Sequence, residues 1–177
     1  GRHVCEALRD LDVQITVVTR RLPTRSVQML PRLNVVVANV LDPVALQSLV
    51  AGHDWVINLV AILHGTGSEF ERVHVDLPQS LARACAQARV QRLVHVSALG
   101  ADVNGPSLYQ RSKGRGEAVL KDLSESTGLC VRVLRPSVIF GLDDQFINLF
   151  ARLQRLAPVV PLTGAHTRFQ PVWVVDV

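Results

Sequence analysis

The residues best suited to chemistry in this chain are a serine, a tyrosine and a lysine. Ser97 closes the apolar run 92–96, and Tyr109-Gln110-Arg111-Ser112-Lys113 follows it. On a helix, positions i and i+4 lie one above the other. Tyr109 and Lys113 are therefore expected to point together toward the strand end that carries Ser97. A tyrosine ordinarily keeps its proton up to a pH of about 10. An ammonium group a few ångströms away favours the phenolate, so the pair can exchange a proton with a hydroxyl or carbonyl near neutral pH. The serine hydroxyl can orient a carbonyl oxygen and stabilise the charge that develops on it. The chain holds one Tyr, and its meeting with a lysine at this spacing, after a strand ending in Ser, is poorly explained as a chance surface pair. Ser97, Tyr109 and Lys113 are the expected catalytic residues.

A second group of residues points to a dinucleotide. Gly1 opens directly into a helical segment, as the last glycine of a phosphate-binding loop would. Small size there permits close helix–strand packing, and the helix N-terminus faces the pyrophosphate. About twenty residues beyond such a loop stands the group that reads the adenosine ribose, an acid for a free 2′-hydroxyl or an arginine for a 2′-phosphate. Here Val17-Val18-Thr19 runs into Arg20-Arg21 with no acid beside it. Guanidinium offers a planar fork of donors to phosphate oxygens, whereas a carboxylate would repel them. Arg20 and Arg21 thus favour NADP(H) over NAD(H). At the next two strand ends, Asn39-Val40 is placed at the adenine edge, and Leu59, Val60 and Ala61 along the dinucleotide.

These residues need elements that gather strand ends. From Arg2, the apolar positions Val4, Ala7, Leu8 and Leu11 repeat at helical spacing, and 13–19 is a β-branched run too short for a helix. A second strand covers 33–40. Asp42-Pro43 then supplies an N-cap and first helical residue, Leu46, Leu49 and Val50 an apolar face, and Gly52 a stop. Strands at 55–63, 92–96 and 131–135 alternate with helices over 70–88 and 107–126. Pro78 marks a kink or a late start in the first of these helices, and Gly128 stops the second. Asp143-Asp144 reads as the N-cap of a last helix, 145–156, rather than as an acid–base pair. Strands without a polar face, alternating with amphipathic helices, imply a parallel sheet covered on both sides. The expected fold class is α/β, a doubly wound parallel sheet of the Rossmann NAD(P)-binding type, in which ligands sit at the carboxyl ends of the strands.

Composition narrows the alternatives. With 177 residues, 48% of them hydrophobic, the chain can build one domain with a sizeable core, and it contains no apolar run of the roughly 18 residues a membrane helix needs. A formal charge of +4 is spread along the chain without interleaved lysines and aromatics, which argues against nucleic acid as a partner. Cys5, Cys85 and Cys130 lack metal-site spacing and read as small buried hydrophobes in a reducing compartment. His3, His53, His64, His74, His95 and His166 show no ligand spacing and are expected in turns or on strand flanks, so no metal is assigned. With no Met, signal segment or first strand at Gly1, and an apolar run ending at Val177, the chain reads as cut at both ends. Positions 1–177 are taken as one truncated NAD(P)-binding domain, with 142–177 beginning its substrate-side part.

At Ser97, Tyr109 and Lys113 the chain resembles the atypical or extended short-chain dehydrogenase/reductases of the NAD-dependent epimerase/dehydratase type, with the Tyr-x-x-x-Lys motif intact. Asp76-Leu77-Pro78-Gln79, His95-Val96-Ser97-Ala98-Leu99, Arg135-Pro136-Ser137-Val138-Ile139-Phe140-Gly141, Asp144-Gln145-Phe146-Ile147-Asn148 and the segment 170–177 look like the NADPH-binding accessory subunits of respiratory complex I and their bacterial relatives. This resemblance implies Gly1 as the last glycine of the nucleotide loop, Arg20 as the 2′-phosphate reader, and Tyr109 and Lys113 as ribose and nicotinamide contacts. It implies Pro136 and Ser137 as the turn beside the nicotinamide. It further implies a first strand and two loop glycines ahead of Gly1, and a protein in the cytoplasm or at the periphery of an inner membrane. Two functions are expected. One is hydride transfer between NADP(H) and a small carbonyl or hydroxyl substrate. The other is a nucleotide-holding module whose fold docks on a respiratory complex or another membrane-peripheral partner.

Overall fold

Each short β-branched run becomes a strand and each amphipathic segment a helix, in a computed structural model that describes residues 1–20, 32–142, 144, 147–156 and 168–177. In chain order the elements are α1 (Arg2–Leu8), β1 (Ile15–Thr19), β2 (Leu33–Val37), α2 (Pro43–Val50), β3 (Trp55–Asn58) and α3 (Gly67–Glu71). A π-helical turn (Arg72–Asp76) follows, then α4 (Leu77–Gln87), β4 (Arg92–Val96), α5 (Leu108–Thr127) and β5 (Cys130–Leu134). Last come β6 (Ile139–Phe140), α6 (Ile147–Leu156) and β7 (Val172–Trp173). The chain divides into two compact units, Gly1–Arg135 and Pro136–Val177, so the second unit opens ahead of position 142.

Among the described residues all strand pairing is parallel, as the unbroken apolar runs imply. In the first unit β1 pairs with β2 from Ile15↔Leu33 to Thr19↔Val37, and β4 lies between β3 and β5. Among the described residues these are two separate hydrogen-bonded sheets rather than one continuous sheet. At the head of β3, Trp55 faces Arg92 across the ladder, and the guanidinium lies 4.4 Å from the ring centroid. In the second unit β6 and β7 form a short parallel pair. There Asp144 caps α6 by accepting from the Ile147 amide at 2.6 Å, while Asp143, Gln145 and His166 lie outside the described residues.

Two strands stop earlier than their apolar runs. β2 ends at Val37 instead of Val40, and β3 at Asn58 instead of Leu63. Asparagine is the reason in both. Asn39 Oδ1 accepts the Leu41 amide at 3.1 Å, and Asn58 Oδ1 accepts the Val60 amide at 3.1 Å. Each side chain thereby turns the backbone away from the ladder. The apolar residues after Asn58 are surface residues, with Leu63 71% exposed.

The helix around Pro78 begins earlier than expected and passes through a π-helical turn. Thr66 and Glu69 form a capping box, the Glu69 carboxylate accepting the Thr66 amide at 2.7 Å. Helix continues through 67–87, and Pro78 is accommodated next to the π-helical turn. A proline offers no N–H to the carbonyl four residues back and crowds it. The extra residue of a π-turn relieves that crowding without breaking the helix. Helix α5 starts where Ser107 accepts the Gln110 amide at 3.1 Å and stops at Gly128, whose φ of 74° closes the helix in the left-handed region. The core joins Leu46 and Val50 of α2, Leu81 and Cys85 of α4, Leu93 of β4 and Leu120 of α5.

Candidate functional site

Strand β4 alternates between a buried and a partly exposed face, and Leu93, His95 and Ser97 share the buried one, at 1%, 1% and 6% exposure. Backbone pairing continues past the strand, because the Ser97 amide donates to the Leu134 carbonyl at 2.7 Å. Helix α5 crosses this strand end and delivers Lys113. Its ammonium donates to the Val96 carbonyl at 2.9 Å, one residue before Ser97, and the side chain is 1% exposed. Burial pulls the lysine down to about 8, against a smaller opposing influence of Glu117. Glu117 is itself gripped by Arg135, whose Nε donates to the two carboxylate oxygens at 3.1 and 3.0 Å.

Tyr109 lies one helical turn before Lys113, half-buried. Its ring meets His74 edge-on at 5.4 Å and Phe70 at 6.2 Å. Burial pushes the phenol above its usual range. The expectation that the lysine charge would draw the phenol toward phenolate is therefore not met: removing the phenol from water opposes ionisation and is the cause that counts here. At neutral pH Tyr109 holds its proton.

Two histidines expected in turns or on strand flanks are instead buried at 1% each. His74 sits in the π-helical turn and His95 in β4. Since Asn58 Oδ1 is taken by the Val60 amide, its Nδ2 must donate to His95 Nδ1, at 3.0 Å. His95 Nε2 then carries the proton, and among the described residues it is buried without a hydrogen-bond partner, as is Ser97 Oγ. Leaving such a group unpartnered costs about 1–3 kcal/mol, and sites that await a ligand are where such a cost is tolerated. Burial, reinforced by the Lys113 charge, draws both imidazoles down to about 4. Sequence periodicity missed both histidines. Their signal was a polar residue on the buried face of β4 and another inside the helix around Pro78.

Glycine allows the close approach that builds this arrangement. A Cβ on Gly116 would lie 1.9 Å from the His74 carbonyl oxygen, and one on Gly114 would lie 2.4 Å from the Asp102 carbonyl carbon. Helix α5 can pack this closely on the π-helical turn only where it has no side chain.

The remaining expected residues are arranged more loosely. Arg20 is exposed just beyond β1, and Arg21 lies outside the described residues. Asn39 is exposed and Val40 half-buried in the turn after β2, while Leu59, Val60 and Ala61 are exposed after β3. Gly1 is the N-cap of α1. Pro136 and Ser137, half-buried, open the second unit before β6. Among the described residues no group of three or more His, Cys, Asp or Glu could hold a metal, and no helix is long and apolar enough to cross a membrane.

A family model described as NAD(P)H-binding matches residues 1–144. The chain belongs to this NAD(P)H-binding family. It is 36% identical over 139 residues to the mitochondrial NADH dehydrogenase [ubiquinone] 1 alpha subcomplex subunit 9 of Mus musculus, covering 77% of this chain and 36% of that protein. It is 29% identical over 178 residues to a ceramide reductase of Caulobacter vibrioides, covering 99% of this chain and 54% of that protein. The chain thus spans between about a third and about half of these curated relatives. Among solved structures, a dTDP-glucose 4,6-dehydratase from Streptomyces venezuelae with NAD bound superposes with a TM-score of 0.81 at 23% identity, over 97% of this chain and 62% of that one. At that identity the likeness speaks for the fold alone, a Rossmann-type α/β domain.

Proposed function

We propose that this chain is the cofactor-holding part of an NADP(H)-dependent reductase whose nicotinamide end lies at Ser97, Tyr109 and Lys113 and whose substrate is a small carbonyl or hydroxyl compound. The buried, unpartnered Ser97 hydroxyl carries this reading. The Lys113 ammonium donates to the carbonyl of the residue just before Ser97, and Tyr109, its phenol pushed above the usual range by burial, precedes Lys113 by one turn of α5. The bound dinucleotide would supply hydride. Ser97 Oγ would donate a hydrogen bond to the carbonyl oxygen, and Tyr109 would give that oxygen its proton, so that carbonyl plus hydride plus proton yields the alcohol. Burial pushes the phenol above its usual range, so it carries the proton it would give at neutral pH. Arg20 at the end of β1, with no acid beside it, would take the 2′-phosphate. Gly1, Asn39, Val40, Leu59, Val60 and Ala61 would line the rest of the dinucleotide.

A second reading has its own observation. Lys113 is already engaged with the Val96 carbonyl, and the likeness to a mitochondrial complex I subunit favours a nucleotide that fixes a fold for docking on a respiratory complex. Incubating the full-length protein with NADPH and a panel of ketones and aldehydes separates the two. The reductase reading expects NADPH oxidation that falls by about 10²-fold in Tyr109→Phe, within the usual range for acid–base catalysis, at little change in NADPH affinity. Oxidation that survives Tyr109→Phe undiminished removes the proton role. NADPH binding that raises the melting temperature with no turnover on any carbonyl favours the second reading.

A further inference from the structure

We infer that His74 is a positioning residue, a strut that ties the turn after β3 to the backbone of Tyr109 through hydrogen bonds whose directions are all determined. The Ile62 amide can only donate, so His74 Nε2, 3.1 Å away, accepts. The Tyr109 carbonyl can only accept, so the Ser112 hydroxyl, 2.9 Å away, gives it its proton. The bond between His74 Nδ1 and Ser112 Oγ, at 2.8 Å, must then run from the ring N–H to the hydroxyl oxygen. The ring is held neutral with its proton on Nδ1, and no other assignment satisfies the three bonds.

The placement of the strut gives it a role beyond filling the core. Ile62 directly follows Leu59-Val60-Ala61, the segment proposed to line the dinucleotide, and Tyr109 is the proposed proton donor. His74 joins the two from a third element, the π-helical turn. Ser112 is 0% exposed and His74 1%, so water does not compete for these bonds. The Gly116 contact with the His74 carbonyl fixes the backbone from which the ring extends, and the Phe70 and Tyr109 rings flank the imidazole, each at 5.4 Å. Neither amide side chain can replace the ring. Asn can present an N–H where Nδ1 stands but falls short of Ile62, whereas Gln can present an oxygen where Nε2 stands but does not serve Ser112.

The inference rests on the dinucleotide reading only in the second of two measurements, both made on the full-length protein. Nitrogen-15 NMR at pH 7 should show the His74 ring neutral with its proton on Nδ1. A charged ring, or one protonated on Nε2, overturns the strut whether or not any nucleotide binds. NADPH affinity is then titrated by fluorescence for His74→Asn, Ser112→Ala and the double variant. Each single change should weaken NADPH about tenfold, as loss of a buried hydrogen bond does. The double should lose no more than the worse single, because both cut one strut. Unchanged affinity, or losses that simply add, overturns the positioning role. Should His74→Asn fail to fold, His74→Gln takes its place in the cycle. Should the unaltered protein bind neither NADPH nor NADH, the reading in Proposed function fails. Faster amide exchange at Ile62 in Ser112→Ala then upholds the strut, and unchanged exchange overturns it.

Discussion

At the end of β4, His74, His95, Ser97, Ser112 and Lys113 are all buried, and all but Ser97 make side-chain hydrogen bonds. At the ends of β1 and β2, by contrast, Arg20 and Asn39 stand exposed, and Asn39 is occupied with its own turn. The first region is built by packing: apart from Ser97 Oγ and His95 Nε2, its polar side-chain atoms are held by hydrogen bonds within the protein before any ligand arrives. The second is an open surface that carries an exposed charge. A preorganised site loses function when its packing is disturbed, whereas an exposed charge can be altered with little effect on the fold.

Acid should disturb the packed region most. His74 and His95 have folded-state pKa values drawn from 6.5 to about 4, so between these limits the unfolded chain binds more protons than the folded one. Their contribution to stability is complete above about pH 6.5 and is lost as pH falls toward 4, on the order of 3 kcal/mol for each ring at a shift of this size. The melting temperature should drop across that window and level off below it. A flat profile from pH 7 to 4 would mean that these rings are not buried neutral.

Overpacking should come next. Replacing a helical glycine by alanine ordinarily gains up to about 1 kcal/mol of helix propensity. In Gly116→Ala the new Cβ meets a backbone oxygen at 1.9 Å, and backbone cannot swing aside. The clash should win, at a net cost of about 1–3 kcal/mol, seen as a lower denaturation midpoint together with weaker NADPH binding. A stabilised Gly116→Ala protein would show that α5 does not press on the π-helical turn.

The smallest effect on the fold belongs to the open region. Arg20→Ala should leave the melting temperature within about 1–2 °C of its starting value, as surface changes do. It should lower NADPH affinity about tenfold while sparing NADH, since only NADPH offers the 2′-phosphate. Equal loss for both nucleotides, by calorimetry, would place Arg20 elsewhere than at the ribose.

How much of this was legible follows from how far apart the interacting residues lie in the chain. Tyr109 and Lys113 share a helical face by local geometry alone, and Ser97 ends a strand that its own β-branched neighbours define. Caps such as Asp42 and Asp144 were legible for the same reason. The ends of β2 and β3 were not, because one asparagine side chain outweighed the apolar residues after it. The places of His74 and His95 were not legible either. Both depend on partners far along the chain, Ser112 for the first and Asn58 for the second.

By itself, then, the sequence determined the order of elements, the parallel class of the sheets and the candidate triad, since each depends on the period of side chains along a few turns or a few strand residues. Tertiary structure decided the state of those groups. Burial against Phe70 and His74 keeps the Tyr109 proton in place, the Val96 carbonyl takes the Lys113 ammonium, and Gly116 lets α5 close on the turn that holds His74. Desolvation and close packing depend on what surrounds a side chain in space, and that neighbourhood exists only once distant segments have been brought together.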